Sequence, residues 1–195
     1  MVPLLSRVRL IVGISGSTGP HYGVRLLEVL RQQRPDIETH LILSAGARKT
    51  IEYELERDPD EVVALAHEVH DERNVGASIA SGTFVTQGMV VAPCSMKSLS
   101  AIANSYDDNL IARAADVCLK ERRRLVLVVR ETPLHLGHLR LMAQVTEAGA
   151  VVLPPVPGFY HRPRTVQELL DHTVVKVLDQ FGIHLDLIRR WQGLR

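Results

Sequence analysis

Between Ile14 and Tyr22 the chain reads SGSTGPH, placing Ser15, Ser17 and Thr18 among Gly13, Gly16, Gly19 and Gly23. Glycines let a backbone approach a ligand closely, and a helix starting just beyond them would offer free N–H groups and partial positive charge to a phosphate. Two familiar versions of such a loop are excluded. No Lys-Ser or Lys-Thr pair follows the last glycine, and the spacing is G-x-x-G-x-x-G where a dinucleotide loop needs G-x-G-x-x-G. A plain tight turn is the alternative. The hydroxyls favour a phosphate-bearing ligand that is not a standard dinucleotide.

A second segment, APCSMKS (92–98), sets Ser95, Lys97 and Ser98 at a helix start, again suited to phosphate. Its Cys94 has no visible activating partner and reads as a buried, inert thiol rather than a nucleophile. Arg130 and Glu131 emerge from an all-aliphatic run and belong at its mouth, where Glu131 is a candidate acid or base, or half of a helix-capping ion pair. Arg113 and Lys120, seven apart, share one helix face. They suit a phosphate, especially across a subunit contact, or form a solvated face. PGFYHRP (157–163) presents Phe159, Tyr160, His161 and Arg162 in a constrained loop that should face a ligand. Trp191, the one tryptophan, is either a packing anchor between subunits or a lid. His67/His70 and His135/His138 are each three apart, but no third ligand stands at zinc-site spacing, so no metal is expected.

The elements that must position these residues alternate. Apolar runs at 8–13, 39–44, 88–93, 124–130 and 150–155 predict five strands. Amphipathic stretches at 22–33, 46–55, 60–70, 96–104, 109–123, 134–149 and 165–182 predict helices, and 71–87 has no clear period. Alternation of this kind implies an α/β fold, a parallel sheet with right-handed crossovers and helices on both faces. Ligands bind such sheets beyond the carboxyl ends of the strands, which is where the segments above fall.

Composition narrows the class. With 195 residues, no repeat and no linker, the chain reads as a single domain over 1–195. A formal net charge of +1 offers no polyanion-binding surface, so no nucleic-acid partner is expected. Two cysteines make no disulfide framework, no apolar run is long enough for a membrane span, and Arg7 and Arg9 interrupt the only leader-like stretch. A cytoplasmic protein is expected.

Taken together, SIASGTF (78–84), PCSMKSLSAIA (93–103), NLIARAADVCLKERRRLVLVVRETPLHLGHLRLM (109–142) and PPVPGFYHRP (154–163) resemble the flavin prenyltransferase family, the UbiX type once described as small subunits of aromatic acid decarboxylases. The resemblance spans nearly the whole chain. It implies a three-layer Rossmann-like or flavodoxin-like fold, a homododecamer built from trimers, FMN at the strand ends and no metal. The implied activity moves a dimethylallyl group from dimethylallyl monophosphate to reduced FMN, bonding first to N5 and then to C6. The prenylated FMN would pass to a UbiD-type decarboxylase serving ubiquinone biosynthesis or phenolic acid breakdown.

By motif, the resemblance puts Gly16, Ser17, Thr18, Ser44, Ser95, Met96, Lys97, Ser98 and Arg130 around FMN. It puts Arg113, Lys120, Tyr160 and Lys176 on the donor phosphate, Glu54 and Glu131 near the reacting atoms as proton handlers, and Trp191 by the prenyl pocket. Three positions depart from the family pattern: Thr18 replaces a serine, Ala45 a lysine and Lys176 an arginine. Lys176 keeps the charge but loses the bidentate fork. Two further readings are a flavin-dependent cysteine decarboxylase, which would carry a PASANT-like segment in place of PCSMKS, and a non-catalytic FMN-delivery subunit.

Overall fold

The computed structural model describes residues 8–193, so the leader reading, which rests on residues 1–7, lies outside the described residues. Six parallel strands form one sheet: β1 (Val8–Ile14), β2 (Ile37–Leu43), β3 (Glu68–His70), β4 (Gly88–Cys94), β5 (Arg124–Val129) and β6 (Val151–Val152). Their order is β3-β2-β1-β4-β5-β6, the dinucleotide-fold order; without the short edge strand β3 it becomes the flavodoxin order. Both expected descriptions therefore hold.

Helices α1 (His21–Gln33), α2 (Ala45–Leu55), α3 (Pro59–Val63), α4 (Met96–Ala103), α5 (Leu110–Lys120), α6 (Leu136–Glu147) and α7 (Val166–Asp179) cover the sheet. Side chains alternate across a strand, so each strand feeds both faces. Leu10, Val12 and Ile14 join Leu27, Ile51, Val62 and Leu178 under α1, α2, α3 and α7. Ile11, Met89 and Val91 join Leu99, Ile111, Cys118 and Val145 under α4, α5 and α6. The two cores on either side of one sheet are the three layers.

Three predicted elements change. The stretch at 60–70 is not one helix: α3 ends at Val63, and Glu68–His70 pairs with β2 as an edge strand. Three residues are too few to show a period of two. The run at 150–155 is paired only at Val151 and Val152, because Pro154 and Pro155 have no N–H to give the ladder. The helix at 109–123 stops at Lys120, beyond which Arg122 takes a φ of 57°. The unassigned 71–87 segment carries a short 3-10 turn, Ser78–Ala80, that buries Ile79.

One helix is left largely uncovered. Of the twelve residues of α6 only Val145 is buried, while Leu134, Leu136 and Leu139 are 42%, 60% and 49% exposed. Among the described residues no helix is long and apolar enough to cross a membrane.

Close packing of α1 on the sheet depends on Gly23. A Cβ there would lie 2.2 Å from the Ala92 carbonyl oxygen and 2.8 Å from the Ile14 side chain. Gly23→Ala should therefore lower stability by about 1–3 kcal/mol through overpacking, against the gain in helix propensity, as read by urea unfolding.

Candidate functional site

The strand order reverses between β1 and β4, and the chain leaves both strands at the same end of the sheet. Ser15, 2% exposed, closes this point. Its hydroxyl donates to the Pro93 carbonyl at 2.8 Å and accepts the Ser95 N–H at 2.8 Å, while its own N–H donates to Pro93 at 3.2 Å. The Ser44 N–H donates to the Ile14 carbonyl at 3.1 Å, and the Arg130 N–H to the Cys94 carbonyl at 3.1 Å. The exits of β1, β2, β4 and β5 are thus laced side by side. A Cβ on Gly16 would sit 2.8 Å from Gly46 Cα, so the first two loops meet backbone to backbone.

Two helices begin at this end with side-chain caps. Ser44 Oγ accepts the Ala47 N–H at 3.0 Å to start α2, and Ser95 Oγ accepts the Ser98 N–H at 3.2 Å to start α4. Ser95 also donates to Ser98 Oγ at 3.1 Å. Helix α1 is different: Pro20 stands at its cap and supplies no side-chain acceptor. The Tyr22 N–H turns back to the Gly19 carbonyl at 3.2 Å, and the partial positive charge of this helix start has no side-chain acceptor.

Residues 15–20 form the loop ahead of that uncapped end. Gly19, at a φ of 88°, donates its N–H to Glu54 Oε2 at 2.8 Å, so the last turn of α2 holds the loop from outside. Thr18 is exposed at the tip. Ser17 Oγ is buried and has no hydrogen-bond partner, a state that costs on the order of 1–3 kcal/mol unless a ligand satisfies it. Tyr22 lies beside the loop. Burial pushes its hydroxyl above the usual tyrosine range, and the positive charge of Arg130 opposes that.

The structure brings Gly16, Ser17, Thr18, Ser44, Glu54, Ser95, Met96, Lys97, Ser98 and Arg130 to one end of the sheet. Glu131 follows directly, exposed, its carboxylate accepting the Thr132 N–H at 2.9 Å rather than pairing with Arg130. Cys94 is buried, with its thiol pushed up to about 12 by desolvation, in keeping with an inert role.

Arg113 and Lys120 are not brought to the loop within one chain. Helix α5 runs back toward the start of β5, so Lys120 lies about 10 Å further along the helix than Arg113, toward the opposite end of the strands. Arg113 bonds to Asp107 at 3.1 Å, Asp116 at 3.4 Å and the Ala80 carbonyl at 3.3 Å, and Lys120 pairs with Glu121. Helical spacing fixed their shared face but not which end of the sheet that face serves.

Tyr160, Lys176 and Trp191 form a separate group around α7. The Tyr160 hydroxyl lies 2.7 Å from His172 Nε2, and its ring meets Trp191 edge-on with centroids 5.7 Å apart. His161 stacks on His172 at 4.7 Å with both its nitrogens buried and unpartnered. Burial foremost, then the charges of His161 and Lys176, hold His172 below the usual histidine range. With its proton on Nδ1, a neutral His172 accepts the hydrogen bond from the Tyr160 hydroxyl. Tyr160, Arg162, Arg190 and Trp191 line a cavity of about 340 Å³. His172 was missed in the sequence although it stands four residues before Lys176, one turn along the same face.

Ser15 and Ser17 give a matched test. Ser15→Ala should lower unfolding stability by about 1–3 kcal/mol, since it strips the buried Ser95 N–H of its acceptor. Ser17→Ala removes a hydroxyl with no protein partner and should leave stability unchanged or slightly raised. Equal losses in urea unfolding would contradict the division of labour between them.

Residues 4–177 match the profile of the Flavoprotein family. A flavin prenyltransferase UbiX of Escherichia coli (strain K12) is 61% identical over 187 residues, covering 95% of this chain and 98% of that protein. A crystal structure of AnUbiX (PadA1) in complex with FMN and dimethylallyl pyrophosphate is 48% identical, with a TM-score of 0.94, covering 97% of this chain and all of that one. A dodecameric FMN-dependent UbiX-like decarboxylase from Escherichia coli O157:H7 is also 48% identical, with a TM-score of 0.93, over 95% of this chain and all of that one.

Proposed function

Because the chain belongs to the UbiX-type flavin prenyltransferase family and is a flavin-binding prenyl-transfer enzyme, we propose that it moves a dimethylallyl group from dimethylallyl monophosphate to N5 and then C6 of reduced FMN. The prenylated FMN would be handed to a UbiD-type decarboxylase. The observation that carries this reading is the buried, unpartnered Ser17 hydroxyl beside the uncapped start of α1. A phosphate-bearing flavin satisfies both at once.

The residues present fit FMN. Gly16, Ser17 and Thr18 would hold its phosphate-bearing side, and Ser44, Ser95, Met96, Lys97, Ser98 and Arg130 would line the rest of the strand-end site. When bound, reduced FMN supplies the nucleophilic N5. The chain's part is to release the allylic phosphate and shelter the carbon that it leaves. Cations stabilise the charge developing on the departing phosphate; Tyr160 and Trp191 provide two π faces around one cavity, and Lys176, one turn beyond His172 on α7, would supply a cation. Glu131, and the oxygen of Glu54 that Gly19 does not engage, would take up protons as the bonds to N5 and C6 form. Thr18 presents the hydroxyl that a serine presents in the family pattern, with a methyl that narrows its rotamers.

Arg113 and Lys120 enter this scheme only through a neighbouring copy. The exposed apolar side of α6 supports assembly, and we place the chain in a homododecamer in which these two cations reach the donor phosphate of an adjacent subunit. One continuous sheet with a core on each face supports a single domain over 1–195. Two free, buried thiols suit a reducing cytoplasm.

Purified protein incubated anaerobically with reduced FMN and dimethylallyl monophosphate should yield a flavin one C5 unit heavier by mass; unmodified bound FMN would support a delivery subunit instead. Dimethylallyl diphosphate in a parallel reaction decides the donor. Glu131→Gln should still bind FMN but slow product formation roughly 10²–10⁴-fold. If Lys120 acts in a neighbour's site, co-assembled Thr18→Ala and Lys120→Ala chains should regain product formation that neither shows alone.

A further inference from the structure

Edge strand β3 and its neighbour β2 carry a donor cluster that the prenyl-transfer site does not use. In the parallel register His40 stands opposite Glu68 and Ile42 opposite His70, so His40, Glu68 and His70 share one face of the sheet. His40 Nδ1 lies 3.0 Å from His70 Nε2. The Glu68 carboxylate straddles the pair, one oxygen 3.5 Å from His40 Nδ1 and the other 3.6 Å from His70 Nε2. All the donor atoms fall within 4.8 Å of one another.

We propose that His40, His70 and Glu68 form a binding site for a divalent d-block cation, Zn²⁺ by preference, that clips β3 onto β2. Tetrahedral zinc with bonds of about 2.0–2.1 Å to nitrogen and oxygen sets its ligands about 3.3–3.4 Å apart. The nitrogens lie 3.0 Å apart and each has a different Glu68 oxygen 3.5 or 3.6 Å away, so a small turn of the half-exposed Glu68 side chain would bring one oxygen and the two nitrogens onto one face of a tetrahedron, with water in the fourth position.

The surroundings have the features of a metal site's outer layer. His40 Nε2 lies 3.0 Å from Glu38 Oε1, and a carboxylate on the far nitrogen of a histidine ligand fixes both its tautomer and its ring orientation. Phe84 packs edge-on against His40, with centroids 5.2 Å apart, and limits water on that side. Arg9 pairs with Glu38 at 3.5 Å and lies over Phe84, so its charge is turned to Glu38 and the ring. Burial holds both histidines below the usual range, so their lone pairs are available at neutral pH. Metal entry needs only that His70 carry its proton on Nδ1.

The clip would act at a distance from the chemistry but not in isolation from it. Two residues beyond His70, the Glu72 side chain accepts the Ala45 N–H at 3.1 Å and its carbonyl accepts the Leu110 N–H at 2.7 Å. Fixing β3 therefore fixes the starts of α2 and α5.

The test is metal binding by the full chain after chelator treatment, with Zn²⁺ and, for its spectrum, Co²⁺. One Co²⁺ per chain should bind with intense tetrahedral visible bands, displaced by Zn²⁺, and Zn²⁺ should raise the melting temperature. Glu68→Gln, at a half-exposed position that tolerates change, and His70→Ala should each weaken binding at least tenfold and abolish the thermal shift. Glu38→Gln, acting through His40, should weaken binding about 10–100-fold. His135→Ala, at a separate histidine pair, should leave it unaltered. Binding below one ion per chain, an octahedral Co²⁺ spectrum, or affinity unchanged in both Glu68→Gln and His70→Ala would overturn the proposal. Unaltered FMN binding by Glu68→Gln shows that the variant is folded.

Discussion

The Ser15 hydroxyl occupies the point where a doubly wound sheet most needs a fastening. The chain crosses from β1 to β2 and β3 on one side and then returns past β1 to β4, β5 and β6 on the other, so its two halves diverge between β1 and β4. Two strands leaving a sheet side by side also leave carbonyls and amides beyond the last ladder bond. Ser15 satisfies Pro93 and Ser95 with one side chain, and its burial leaves water no alternative. Everything at the ligand end hangs from this. The cap that starts α4 is the residue whose N–H Ser15 holds, and the loop bearing Thr18 starts from Ser15 itself.

The site combines groups that are finished with groups that are not. Ser44 and Ser95 are spent on capping their own helices, and Glu54 on steadying Gly19. They build the cradle. Ser17 and the first turn of α1 are left wanting acceptors or donors, and these are the natural contacts for a charged phosphate. The cations follow a similar division. Lys97 and Arg130 belong to the cradle of their own chain, whereas Arg113 and Lys120 face carboxylates at the far side of α5. Within one chain, the cations beside the strand-end loops are therefore not the cations carried by α5.

Much of this architecture could be read from the residues. Four of the strands are built around an aliphatic run, and their parallel order followed from alternation with helices. β3 escaped because three residues, one a charged Glu68 and one a histidine, carry neither length nor period. The loops at the strand ends were legible because the sheet rule names them. The bonds that make them a site were not, since Ser15 reaches Pro93 and Ser95 across 78 and 80 residues, and Gly19 reaches Glu54 across 35. Spacing along one helix states what shares a face. It says nothing of where the helix goes, which is why spacing joined Arg113 to Lys120 but could not say which end of the sheet they serve.

Helix α6 has a consequence for the physical state of the protein. Twelve residues with a single buried member, led by three exposed leucines, make a poor helix for a chain alone in water. In the proposed assembly, a second copy would cover this face, and folding and association would become one equilibrium governed by mass action. Dilution would then work on this protein as heat does, and the amount of chain a cell makes would set how much of it is properly folded.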